Sequence, residues 1–185
     1  AQAEDMIFQR LPNLPCFRQT TTANLVAGTT DYVVTGARMI RQVSIISSNV
    51  VSYLDHRVDS YLRDYWPNAT TQDTPKFYST KSASGTSGTL GGSGTTITIA
   101  PTPNAADTYQ VDYIAPEMGI SSLNPNTWIS NNAENVLLSA CLYEASAFLK
   151  AGETLALYKT QFDEALQLFI QEMQRDYAAE YNGGL

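Results

Sequence analysis

Between residues 132 and 177 the chain carries apolar residues at helical spacing, interrupted once, and this pattern constrains the fold more than any other stretch. Leu137, Leu138, Cys141, Leu142, Ala145, Phe148 and Leu149 recur at intervals of three and four, as the buried stripe of a helix does. Gly152 then stands where a left-handed helix C-cap is wanted. Leu155, Tyr158, Phe162, Ala165 with Leu166, Phe169, Met173 and Tyr177 form a second stripe close to seven residues per two turns, a seam suited to packing on a neighbouring helix. A helix of about 27 residues at 1.5 Å rise is a rod of about 40 Å. The connection between the two is short enough to force an antiparallel hairpin.

The preceding part of the chain has a different character. Residues 4–10 read as the end of a helix, which Pro12 and Pro15 break by removing donors and forcing extended backbone. From Thr20 onward β-branched residues accumulate, and strands are expected at 24–26, 31–34 and 38–46, with Gly28 and Gly36 in turns. Val58, Tyr61, Leu62 and Tyr65 sit at helical spacing before Pro67, giving a brief helix among strands. Strands resume at 77–81, 97–100 and 108–115. Residues 82–96 are almost entirely Ser, Gly and Thr, with Leu90 as the one large apolar side chain, and read as a mobile loop.

These patterns predict an α+β protomer, an antiparallel helical hairpin or bundle with an inserted small antiparallel β domain. Its expected parts are an N-terminal segment 1–18 packing on the helices, a β-rich domain 19–116, a linker 117–131, the hairpin 132–180 and a flexible tail 181–185.

At 185 residues and 43% hydrophobic, the chain can bury one ordinary core or two small subdomains sharing one. Its formal charge of -7 and pI near 4.5 argue against stable DNA binding, which draws its affinity from Lys and Arg. In the wall of a conduit, acidity would instead keep a phosphate backbone from adhering. Cys16 and Cys141 are far apart in sequence and are expected to be free and buried. No apolar run approaches the roughly 20 residues that span a bilayer, and no basic-then-apolar leader opens the chain, so a soluble, non-secreted protein without membrane contact is expected.

Candidate chemistry is sparse. His56, the only histidine, lies between Asp55 and Asp59 and would have to carry any triad or metal site by itself. The glycines between 85 and 94 are not followed by the Lys-Ser/Thr of a phosphate loop. Thr95 stands where a nucleophile elbow needs its last Gly. Asp163, Glu164 and Glu172 read as a solvated helix face. No catalytic residue, metal or cofactor is expected. Eleven tyrosines and two tryptophans give large apolar area with polar tips, suited to interfaces as well as cores.

One ordered set of motifs remains. It comprises Tyr53-Leu54, then Pro75 with Phe77-Tyr78, then Ile97-Thr98-Ile99-Ala100-Pro101-Thr102-Pro103 leading to Tyr113, then Trp128, then the apolar stripe from Leu137 to Leu149. In this order they resemble the head-to-tail adaptor proteins of tailed bacteriophages. The resemblance implies twelve copies in a ring around the DNA channel, in the virion neck, assembled in the host cytoplasm. The helical bundle would lie near the portal protein and the β domain nearer the tail or nozzle protein, with DNA passing through without specific binding. It implies ring and helix packing through Leu155, Tyr158, Phe162, Phe169 and Met173. Portal contact would come from Tyr177, Tyr181, Asn182, Gly183, Gly184 and Leu185; Ser87, Gly88, Leu90 and Gly91 are assigned to a tail-facing loop, which is longer here than the hairpin expected of the family. Family members usually begin with helices that pack on the C-terminal pair, a region reduced here to the residues before Pro12. Two other readings stay open: a tail nozzle or neck subunit, and a β-rich carbohydrate-binding module with aromatic stacking platforms.

Overall fold

The computed structural model describes residues 2–11, 17–82, 94–115, 119–150 and 152–182, without the side chains of 153 and 176–182. The chain divides into two compact units, a helical one made of Ala1–Pro12 with Glu117–Leu185 and a β unit, Asn13–Pro116.

The β unit contains β1 (Arg18–Asn24), β2 (Asp31–Thr35), β3 (Met39–Ser47), β4 (Val50–Tyr53), β5 (Asp55–His56), α2 (Asp59–Tyr65), β6 (Gln72–Asp73), β7 (Phe77–Ser82), β8 (Gly94–Ala100), β9 (Thr102–Pro103) and β10 (Thr108–Ile114). One four-stranded sheet has the order β1-β10-β3-β4, a second the order β2-β8-β7-β5, and β6 pairs with β9. β2 alternates buried and exposed residues, and β8 and β10 alternate buried and half-buried ones, the period-2 signature of strands with one face in a core. Val43, Ile45, Tyr109 and Val111 of the first sheet and Tyr32, Val34, Ile97 and Ile99 of the second enter one buried cluster, so the two sheets pack face to face. The Tyr32 hydroxyl accepts from the Val26 amide at 3.0 Å and donates to the Thr29 carbonyl at 3.0 Å. It thereby clamps the turn in which Gly28 takes a positive φ of 83°. The β3–β4 hairpin closes through Ser48 and Asn49, both left-handed at φ 49° and 64°, as a two-residue hairpin matched to strand twist requires.

The helical unit contains α1 (Gln2–Arg10), α3 (Trp128–Asn132), α4 (Glu134–Phe148) and α5 (Gly152–Asn182). α4 packs on α5, where Tyr143 stacks on Phe162 at 6.5 Å, and Trp128 of α3 meets Phe169 of α5 at 6.2 Å. α1 packs on α4 and buries Ile7 and Phe8.

Several expectations need correction. The molecule is an α+β mixture, but not a helical bundle with a small antiparallel β domain inserted. The β unit is a two-sheet structure of its own, and it includes parallel pairings, β5 with β7 and β6 with β9. Apolar residues at alternate positions in both sheets create a core that needs no helix to cover it. The first strand is 18–24 and not 24–26. β4 was missed because its turn has no glycine. The left-handed residue after α4 is Lys150, φ 54°, while Gly152 opens α5. Cys141 is exposed, and Cys16 lies outside the described residues.

Candidate assembly surfaces

The interior of the helical unit takes up the middle of the long seam. Phe162 is fully buried, and Leu166 and Phe169 nearly so. Arg10 reaches over the Phe162 ring, its guanidinium 5.1 Å from the centroid, and pairs with Asp163 at 2.5 Å. Both members of that pair are about two-fifths exposed, so it adds well under 1 kcal/mol. Glu4 does more. Its carboxylate is buried and accepts from the Thr127 hydroxyl at 3.0 Å and the Ile120 amide at 2.9 Å, tying α1 to the segment that leads into α3. Thr127 in turn caps α3, accepting from the Ser130 amide at 3.2 Å, while Ser130 Oγ accepts from the Thr127 amide at 2.9 Å. That is a reciprocal capping box. Leu155, Tyr158 and Met173 are half-buried.

α4 is oriented opposite to the sequence reading. Its buried residues are Val136, Ala140 and Ser146, while Leu138 is 57% exposed, Leu142 37%, Phe148 87% and Leu149 72%, with Cys141 and Ala145 also exposed. At 100° per residue these six span about 120° of the helix circumference, an arc whose one charged residue is Glu134 in the first turn. Small residues, Ala140 and Ser146, are among those buried, and the larger side chains are left outside. Two signals were available in the sequence. The seam of α5 is bulky and needs a small-residue face opposite it, and apolar residues run all the way around α4, which marks a helix buried on every side.

The β unit carries a solvent-facing aromatic group. Tyr61 lies 4.4 Å from Tyr65 and 6.0 Å from Phe77, Trp66 lies 5.3 Å from Phe77, and the Arg57 guanidinium sits 5.6 Å from Tyr61. The rings meet tilted or edge-on, so the group is an interlocked cluster and not a flat platform for sugar. Beneath it Asp59 accepts from Arg63 Nε at 2.7 Å and pairs with Lys81 Nζ at 3.1 Å. Partial burial raises its pKa, but the hydrogen bonds and charges of Lys81 and Arg63 outweigh that and hold the carboxyl below its ordinary value. His56 rests edge-on against Tyr78, 5.1 Å between rings. Among the described residues no three His, Cys, Asp or Glu side chains come together as a metal site, and no helix is long and apolar enough to cross a membrane.

Of the other predicted contacts, Tyr177, Tyr181 and Asn182 lie within α5. Gly183, Gly184 and Leu185 lie outside the described residues, as do Ser87, Gly88, Leu90 and Gly91.

Exposed apolar surface of this kind marks interaction sites, and this face of α4 is exposed among the described residues. The model of the SU10 adaptor protein family matches residues 1–184, and the chain belongs to that family of phage head-to-tail adaptors. It is therefore a structural virion component that works by contact with other virion proteins. No curated protein matches it.

Proposed function

We propose that this protein is the adaptor that forms a ring between portal and tail and surrounds the DNA channel, with the outer face of α4 covered by the neighbouring copy. The bare face of α4 carries this reading. Leaving Leu138, Leu142, Phe148 and Leu149 in water forgoes apolar burial of about 25 cal/mol per Å², a gain that a neighbouring subunit recovers. The buried seam residues Phe162 and Phe169 hold the protomer together. Leu155, Tyr158 and Met173, at its half-buried margin, join the contact between copies. The C-terminal residues from Tyr177 to Leu185 meet the portal, and the segment containing Ser87, Gly88, Leu90 and Gly91 faces the tail. The net charge of -7 suits a channel past which a polyanion slides. The ring takes twelve copies, as the family resemblance implies.

The test is the native mass of the purified protein, alone and mixed with portal, for the natural chain and for Leu142→Glu with Phe148→Glu. The natural chain is expected to form a ring alone or on the portal. The double variant should remain a folded monomer with an unchanged thermal midpoint. A natural chain that stays monomeric and ignores the portal contradicts the reading, as does a double variant that forms normal rings.

A further inference from the structure

The two four-stranded sheets of the β unit finish their edges differently. The sheet β2-β8-β7-β5 ends on one side at β2, which opens with Asp31, and on the other at β5, only Asp55 and His56 long. Charge and brevity are the devices that keep edge strands from pairing with other chains. The sheet β1-β10-β3-β4 uses neither device fully. β1 opens with Arg18 and then reads Gln-Thr-Thr-Thr-Ala-Asn, and β4 reads Val-Val-Ser-Tyr; beyond Arg18 neither strand carries a charge or a proline. Both are rich in residues that favour strands. All four residues of β4 are exposed, Val50 at 64%, Val51 at 50% and Tyr53 at 68%. β1 is exposed at every position except the half-buried Thr21. Among the described residues neither strand has a second ladder partner.

The topology makes these two edges complementary. β1 is antiparallel to β10, β10 to β3, and β3 to β4, so β1 and β4 point in opposite directions. A second copy set alongside in the same orientation therefore offers its β1 antiparallel to the first copy's β4, and the sheet continues with its pattern unbroken. Because the edges are different surfaces, the contact is heterologous, repeats from copy to copy, and closes under rotation. We propose that β4 of each protomer adds onto β1 of the next, so that one sheet runs across the subunit boundary. The occupant is a second copy because the chain itself supplies the matching edge. This inference rests on the ring reading above and names a contact that α4 does not make.

Full-length protein carrying Cys16→Ser and Cys141→Ser is the starting point. Into it Val51→Cys is introduced in one preparation, and Thr20→Cys, Thr21→Cys or Thr22→Cys in others. The preparations are mixed under conditions in which native mass shows a ring, on portal if portal is needed, and mildly oxidised. Covalent dimers are expected only in mixtures of a β4 variant with a β1 variant, at one register above the others. Links between two Val51→Cys copies instead would reveal a two-fold β4–β4 contact and overturn the proposal. A ring by mass with none of these links overturns it too, while leaving the adaptor reading standing; no ring in any mixture sinks both. In parallel, Val51→Lys is expected to keep the thermal midpoint and lower ring yield by about tenfold, as a lysine on a pairing edge does, and Val51→Thr to restore it. Rings of Val51→Lys at the natural yield would also overturn the proposal.

Discussion

Lys150 holds a backbone shape that its side chain disfavours. At φ 54° its Cβ crowds the following carbonyl, a conformation that glycine adopts freely. Its amide still closes the turn by donating to the Ala147 carbonyl at 3.2 Å, so the position is kept for the turn's geometry and not for the residue. Lys150→Gly is expected to stabilise the helical unit by about 0.5–1 kcal/mol in urea unfolding, and a loss of stability would contradict this account. Gly152 reads as a cap because residue type signals one, whereas the left-handed position after α4 is taken by Lys150, a residue type that carries no such signal. Asp59 makes a second residue-scale case. Its folded pKa lies below the ordinary 3.8, so its pairs with Arg63 and Lys81 contribute fully above that pH, and the contribution is lost as pH falls through the lowered folded value. Asp59→Asn is expected to reduce the thermal midpoint at pH 7 and to leave it little changed near pH 2, and an equal drop at both would refute the sign.

At the scale of elements, α5 is the member on which the helical unit depends. Phe162 is fully buried between α4 and the Arg10 side chain, and truncating it leaves a cavity on top of the lost transfer energy. Phe162→Ala is expected to destabilise the protein by about 3–5 kcal/mol, measured by urea unfolding, and a change below about 1 kcal/mol would show that α4 repacks without it. The seam of α5 was legible in the sequence because its large residues repeat at one spacing with polar residues between them. α4 was not, because it is apolar on both sides, and the choice of inner face depends on which partner needs small residues. Strands 31–34 and 108–115 were legible from alternation that survives in β2 and β10. β4 was not, because Ser48 and Asn49 adopt left-handed conformations that the sequence marks with glycine elsewhere, at Gly28 and Gly36.

For the whole molecule, the order of parts along the chain mattered more to the sequence reading than any single motif, and the motif order pointed to the adaptor family. The size of the β unit did not show, because two small sheets sharing a core read as scattered hairpins until they pair. Removing 181–185 is expected to weaken attachment to portal by about tenfold, measured by co-assembly with portal. Unchanged co-assembly with portal would discard the proposed role of that segment. The helical unit is also discontinuous: α1 precedes the entire β unit, and its partner α4 follows it. During synthesis, then, Ile7 and Phe8 leave the ribosome with nothing to pack against until more than a hundred further residues have been added, about 6–25 s at 5–20 residues per second. The β unit can complete its own sheets in that interval. The helical unit is consequently completed only after the β unit, once α4 and α5 have followed it out of the ribosome.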